Sequence, residues 1–281
     1  MRRSTLRIMP QAIPLITPAL FVALWMMVAA QISNQVILPT VEQVLELLTQ
    51  PLADIISMGS LASNVVVSLV RVVIGYFAAA IIAIPLGVVM GYYGLAFTLF
   101  NTFLSLFRPI PPLAWVPLVM AWFGVSSFAT MLGIETGQAY IYLNNIKFSM
   151  AFIIFIGAFY PILTATLHGV AGVNKTLIDS ARVLGASEKQ IFIKVLIPAA
   201  MPSIITGMRI GLGIAWMCLV SAEMLPGSLS GIGYLITHAY TLASTDIVIA
   251  GMISIGVVGA LMDLMFREFE KKKYSWRRQV K

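Results

Sequence analysis

The stretch SLVRVVIGYFAAAIIAIPLGVVM, residues 68–90, is a long apolar run with one charged residue, Arg71. At about 1.5 Å per residue, a helix of this length crosses the roughly 30 Å hydrocarbon layer of a bilayer. Ile13–Ile32 is a second run of this kind. Over 281 residues the chain is 59% hydrophobic and 10% charged, too apolar for an ordinary soluble domain. The sequence therefore predicts an all-α, polytopic helical membrane protein.

Six apolar runs divide the chain. They are continuous, unlike the short alternating segments of a β-barrel. The predicted spans are residues 13–32, 65–92, 95–123, 147–166, 199–222 and 245–266. The predicted organisation is a basic N-terminus at 1–12, a first span with an outer amphipathic segment at 13–64, a core at 65–266 and a basic tail at 267–281.

The N-terminus fits two interpretations. Its arginines, apolar run and following small residues resemble a signal peptide. The run is longer than the usual core of such a peptide, which favours a retained span. Cleavage would leave five spans and move the N-terminus outside, without changing the orientation of the rest.

The basic residues set the orientation. Three Lys or Arg precede the first span, four lie between the fourth and fifth spans, and seven follow the sixth. Positively charged loops stay in the cytoplasm. Both termini are therefore predicted on the cytoplasmic side of an inner (plasma) membrane, where the tail 267–281 contacts anionic lipid. This distribution explains the net charge of +7 without nucleic acid as a partner, and the lone Cys218 excludes an internal disulfide.

The most charged loop carries DSARVLGASEKQIFIKVLIPAAMP, residues 179–202. We predict one helix at Leu177–Leu184 and a second at Glu188–Leu196. Gly185 lies between them, where a left-handed residue is needed. Ser187 and Gln190 predict a capping box at the start of the second helix.

Both predicted helices of this loop have an apolar face. Leu177, Ala181 and Leu184 share one face, and Ile191 and Val195 belong to the other. The prolines that follow restrict how the chain re-enters the membrane. Such a segment either lies on lipid or fits a groove on another protein, and the residues leave both possibilities open.

The loop resembles a known motif. Asp179-Ser180-Ala181, Gly185 and the run VLIP ending at Pro198 are similar to the EAA loop of bacterial ABC-importer permeases, with its spacing matched throughout. Asp179 replaces the usual Glu and Ser180 the usual Ala. Further motifs resemble the nitrate/sulfonate/taurine/bicarbonate branch, at residues 68–72, 85–87, 107–115, 122–124, 207–211, 222–224 and 231–233.

The resemblance implies a type I ABC-importer permease fold with about six transmembrane helices, in which residues 177–198 form the coupling loop. It implies ABC ATPase subunits that bind ATP and magnesium, a second permease copy in a homodimer or a related heterodimer, and an extracytoplasmic solute-binding protein. It also implies a small anionic solute such as nitrate, sulfonate, taurine or bicarbonate. The residues that it assigns to ATPase coupling are Asp179, Ser180, Ala181, Arg182, Gly185, Ala186 and Pro198.

The chain lacks the residue patterns of an enzyme. The phosphate-binding pattern G-x-x-x-x-G-K-[ST] is absent, and residues 172–176 lack the glycine before the lysine. The G-x-S-x-G pattern fails at Leu229. His168 and His238 are predicted on opposite membrane faces, and no cluster has metal-ligand spacing. We expect no catalytic, cofactor-binding or metal-binding residue. The alternative to an ABC permease is an ATP-independent secondary transporter or channel.

Charged residues inside the predicted spans are candidates for the translocation path. Arg108 directly precedes prolines at 109, 111 and 112, which break a helix and free backbone carbonyls. Arg108 either lines the path and attracts an anion, or it binds these carbonyls or pairs with Glu223. We name Arg108 and Glu223 as candidate path residues.

Two outer segments complete the prediction. Thr40 and Gln43 predict a capping box at the start of a short amphipathic helix. The connection near Thr130–Lys147 is longer than in the resembled family. It is expected outside, either as a contact surface for the binding protein or as a tolerated insertion.

Overall fold

The computed structural model describes residues 5–32, 34–225 and 227–273. Within these ranges the chain is helical, with two isolated β-bridges and no strand. A 3-10 turn lies at Pro112–Trp115 and a π-helical turn at Phe192–Leu196. The helices are α1 (Thr5–Ile32), α2 (Val41–Thr49), α3 (Leu61–Tyr92), α4 (Gly94–Phe107), α5 (Val116–Phe123), α6 (Phe128–Met131), α7 (Gln138–Asn144), α8 (Phe148–Ala171), α9 (Lys175–Val183), α10 (Glu188–Ile191), α11 (Ile197–Glu223), α12 (Ile232–Thr241) and α13 (Thr245–Lys273).

Four helical stretches in the described chain are long and apolar enough to cross a membrane. They are α3, α8, the continuous helix 188–223 and α13. A bent pair, α4 with residues 112–123, gives a fifth candidate, and α1 contributes the shorter apolar stretch Ile16–Ile32. The prediction of a polytopic all-α fold is confirmed. Of the six predicted spans, four lie in these long helices, the third corresponds to the bent pair, and the first lies within α1.

The third predicted span, 95–123, is not one helix. Its two halves meet at an angle of 82°. Pro109, Pro111 and Pro112 surround the bend, and proline both removes a backbone donor and clashes with the preceding turn. The predicted helix break is therefore present, and Arg108 lies at the end of its first half.

Three helices form the core, with α8 packed against both α3 and α11. Small residues set these contacts. A Cβ at Gly75 of α3 would lie 2.7 Å from Ile154 of α8, and one at Gly211 of α11 would lie 2.8 Å from Ile162. In lipid, helices associate through such close packing rather than through exclusion of water. The glycines therefore fix how closely the core helices approach.

The ends of the core on the predicted outer side are covered by α2, its following loop and α12. The predicted capping box is confirmed: the Thr40 hydroxyl accepts from the Gln43 amide, and the Gln43 side chain accepts from the Thr40 amide. Leu235 of α12 packs with Ile55 of the loop and Ile247 of α13. This layer holds the loops that surround the polar cluster described below.

Gly211 and Gly213 provide a matched test of the core packing. Gly211→Ala must displace Ile162 or its helix, and such overpacking costs about 1–3 kcal/mol. Gly213 has no neighbour within 4 Å, so Gly213→Ala should be neutral or gain up to about 1 kcal/mol from helix propensity. Thermal unfolding in detergent measures both variants. Equal losses of stability would contradict this packing.

Candidate functional site

The connection between α8 and α11, which the sequence predicts on the cytoplasmic side, folds as an elbow, defined as residues 175–191. Gly185, with a φ of +80°, separates its first arm, α9, from its second arm, α10. The amide of Gly185 donates to the carbonyl of Arg182 at 2.9 Å, and that of Ala186 to the carbonyl of Ala181 at 3.0 Å. A residue with a Cβ is disfavoured in this left-handed conformation. The predicted turn glycine is confirmed.

The second arm differs from its prediction. The capping box is present, since the Ser187 hydroxyl accepts from the Gln190 amide and the Gln190 side chain accepts from the Ser187 amide. However, α10 is one turn long and continues through the π turn directly into α11. Pro198, predicted to restrict how the chain re-enters the membrane, lies in the first turn of α11. The preceding π turn shifts the hydrogen-bond register where proline offers no donor.

The apolar faces of the two arms have different environments. On the second arm Ile191 is buried, and Leu196 of the π turn is buried as well. On the first arm Val183 and Leu184 are 87% and 86% exposed, and Leu177 is also exposed. The chain therefore covers the face of the second arm and leaves that of the first arm open at the tip of the elbow.

Arg182 links the two arms of the elbow. Its Nη1 lies 3.5 Å from Asp179 Oδ1, and its Nε lies 3.0 Å from Glu188 Oε1. The hydroxyl of Ser180 donates to the carbonyl of Thr176 at 2.7 Å. These ion pairs are exposed and contribute little to stability, so they add to the turn at Gly185 in setting the angle between the arms. Asp179 and Ser180, which replace the Glu and Ala usual in the EAA motif, are compatible with these contacts.

Arg108 faces a cavity of about 240 Å³ at the bend between α4 and α5. Its side chain is exposed on the surface of the chain, and the described residues offer it no ion pair or hydrogen bond. The opposite wall of the cavity belongs to α8 and α11, with Tyr160, Thr164 and Ile214. The predicted contacts of Arg108 with freed carbonyls or with Glu223 are therefore wrong for this conformation.

Glu223 instead forms a buried ion pair with Arg71. Glu223 Oε1 lies 2.5 Å from Arg71 Nη1, and the two residues are 1% and 2% exposed. The Ser68 hydroxyl lies 2.9 and 2.8 Å from the two carboxylate oxygens, and the Gly233 amide donates to Oε2 at 3.0 Å. Enclosure of this kind gives Glu223 a structural role at the end of α11, and its assignment to the path stays a prediction.

The ion pair extends into a network that joins outer loops to the core. Arg71 Nε donates to the carbonyl of Asn145 at 2.7 Å, and Arg71 Nη1 donates to that of Ser230 at 2.7 Å. The Ser230 hydroxyl donates to Asn145 Oδ1 at 3.1 Å, and the Gly231 amide donates to Asn64 Oδ1 at 2.8 Å. Gly231 has a φ of +106°, and a Cβ there would collide with the ion pair. We refer to these residues, with Ser68, Glu223 and Gly233, as the outer polar cluster.

Sequence reasoning identified members of this cluster without placing them together. The motifs at 68–72, 222–224 and 231–233 lie far apart in the sequence and meet in space. The available signal was the presence of opposite charges inside apolar runs, which must be paired or hydrated. Arg209, a further charged residue within a span, is also paired: its Nε lies 3.1 Å from Asp263 Oδ1 of α13.

The longer connection between α5 and α8 is closed at its base. The amide of Phe128 donates to the carbonyl of Ile146, and that of Phe148 to the carbonyl of Ser126, both at 3.1 Å. Lys147 beside them is buried, and its Nζ donates to the side chain of Asn144 at 3.0 Å. Burial, followed by the charge of Arg71, lowers the pKa of Lys147. Beyond this base, exposed apolar side chains remain at Met131, Leu132, Ile141 and Tyr142.

The buried ion pair gives a direct prediction. Arg71→Met leaves the Glu223 carboxylate buried without its cation, which should cost about 3–5 kcal/mol. Glu223→Met should cost a similar amount. The double variant should be more stable than the sum of the single losses predicts, since no lone charge is left buried. Thermal unfolding of the four proteins in detergent tests this coupling, and simple additivity would contradict it.

The fold is similar to that of a solved ABC-importer permease. The structure superposes on the permease chain of the inward-facing MetNI methionine ABC transporter with a TM-score of 0.61, covering 75% of this chain and 95% of that one. At 16% identity, this likeness shows the fold alone.

Relatives in sequence are ABC permeases. A putative ABC transporter permease of Methanocaldococcus jannaschii is 49% identical, covering 94% of this chain and 91% of the relative. The taurine transport permease of Escherichia coli is 32% identical, covering 94% and 89%. The nitrate import permease of Synechocystis is 33% identical, covering 89% and 84%. Residues 83–273 match the family described as binding-protein-dependent transport system inner membrane component. The chain belongs to this family, as an ABC-importer permease of the taurine, sulfonate and nitrate branch.

Proposed function

We propose that this chain forms the membrane path of an ATP-driven importer for a small anion such as nitrate, taurine, another sulfonate or bicarbonate. The observation that carries this proposal is the elbow, whose tip presents Val183 and Leu184 almost fully exposed on the predicted cytoplasmic side. The relatives named for taurine and nitrate support an anionic solute. A solute-binding protein delivers it from outside.

An ATPase subunit docks on the first arm of the elbow. Amphipathic helices bind partners by placing an apolar face in a hydrophobic groove, and α9 has such a face that the described residues leave exposed. Asp179, Arg182 and the turn at Gly185 hold that face at a fixed angle. ATP and magnesium bind to the ATPase, and the permease transmits the resulting movement through Ser180, Ala181, Ala186 and Pro198.

The solute passes between two permease copies, close to Arg108. A charged side chain in the hydrocarbon region costs about 2.5–3.5 kcal/mol on insertion scales, so it faces protein or water. Arg108 is open to the outside of the single chain and is unpaired within the described residues. A second copy of the permease or a hydrated path therefore covers it. A guanidinium there attracts anions.

The docking proposal is tested with Leu184→Asp. A buried carboxylate at the interface should lower co-purification of the ATPase subunit by more than about tenfold. The matched control is Leu52→Asp, since Leu52 is 81% exposed on the predicted outer side and should leave association unchanged. Unaltered association of Leu184→Asp would contradict the proposal. Solute uptake by vesicles that contain this chain without ATPase or nucleotide would favour a secondary transporter or channel.

The path proposal is tested with Arg108→Met. In proteoliposomes containing the complete importer, uptake of labelled nitrate or taurine should fall by about tenfold or more, because the cation at the bend is lost. Arg108→Lys should retain part of the activity. Arg267→Met, which removes a cation from α13 away from the cavity, is the control. Normal uptake by Arg108→Met would exclude a role for this residue in the path.

A further inference from the structure

The predicted cytoplasmic end of α3 is hydrogen-bonded to the elbow by Tyr92. The hydroxyl of Tyr92, the last residue of α3, donates to Glu188 Oε2, while Glu188 Oε1 accepts from Arg182 Nε. The ring of Tyr92 packs edge-on against Phe192, with 5.7 Å between ring centroids and 79° between planes. Glu188 thus lies where three elements meet: α3, the first arm of the elbow and the second arm.

The elbow is linked to α11 and to α3 in different ways. The second arm runs without a break into α11, so any movement of the elbow already reaches α11. Its link to the inner end of α3 consists of apolar packing, which includes Val88 and Leu196, together with the hydrogen bond and the ring contact of Tyr92. At the outer ends of the same two helices, Arg71 of α3 is bonded to Glu223 of α11. The pair of helices is therefore fastened at both ends, about 30 Å apart.

On the basis of the proposed function, we propose that Tyr92 is a positioning residue for coupling, which makes α3 move together with the elbow and α11. Glu188 is the acceptor that completes this link. When the ATPase subunit displaces α9, Arg182 carries the displacement to Glu188, and Tyr92 carries it to α3. The link keeps its geometry through the transport cycle, so the core helices tilt as one body.

The neighbouring Tyr93 provides a matched control. It is exposed, it packs against the Tyr92 ring with 4.8 Å between centroids, and its hydroxyl has no hydrogen bond within the described chain. Tyr92→Phe removes only the hydroxyl that bonds Glu188 and keeps the ring that packs on Phe192. Tyr93→Phe makes the same chemical change one residue away without breaking a bond to the elbow.

A distance measurement tests the link without knowledge of the solute. Spin labels on Val89→Cys, exposed in the last turn of α3, and Lys189→Cys in the second arm are placed in a Cys218→Ala background. The labelled permease is bound to its ATPase subunits, and singly labelled proteins give the distances between copies. We expect one distance distribution with and without ATP. Tyr92→Phe should broaden it and make it change with ATP, while Tyr93→Phe should not.

A coupling measurement separates positioning from a merely structural role. In proteoliposomes, Tyr92→Phe should lower the nitrate or taurine transported per ATP hydrolysed by about fivefold, with the rate of ATP hydrolysis nearly unchanged. Glu188→Gln, which retains an acceptor for Tyr92, should lose less. Unchanged distances and an unchanged ratio in Tyr92→Phe would overturn the inference alone. Failure of the wild-type permease to bind any ATPase subunit would instead overturn the proposed function.

Discussion

The buried pair between Arg71 and Glu223 is the constraint on which the outer half of the molecule depends. Two full charges in a low-dielectric interior are tolerated only when each remaining donor and acceptor is satisfied. The Ser68 hydroxyl and the Gly233 amide donate to the Glu223 carboxylate, and the carbonyls of Asn145 and Ser230 accept from the Arg71 guanidinium. Four chain segments must therefore reach the same point, which fixes α3, α11 and two outer loops relative to one another.

Glycine residues allow the core helices to pack closely enough for the Arg71–Glu223 pair to form. The close contacts of α8 with Gly75 and Gly211 let α3 and α11 approach it on two sides. The bent pair α4–α5 is built differently, since its prolines replace continuous backbone hydrogen bonds with a cavity beside Arg108. The molecule thus combines a tightly packed three-helix body with one interrupted segment. An interrupted segment in a membrane is stable only where protein or water covers its free backbone groups.

Features that depend on short stretches of sequence could be predicted, and those that depend on packing could not. The turn at Gly185 and the caps at Thr40 and Ser187 follow from residues three or four positions apart. The partner of Glu223 could not be chosen in this way, because Arg71 and Arg108 are both remote from it in sequence and only the packing of α3 against α11 decides between them. The continuous path from α10 into α11 was missed because a π turn has no clear sequence signal.

Two surfaces of the single chain are left incomplete, and their chemistry differs. Val183 and Leu184 are apolar side chains in an aqueous setting, where burial against protein is favourable. Arg108 is a cation in an apolar setting, where contact with water, an anion or a polar protein surface is favourable. A hydrated channel could satisfy the second but not the first. An assembly that docks a protein on the elbow and encloses a wet path at the bend satisfies both.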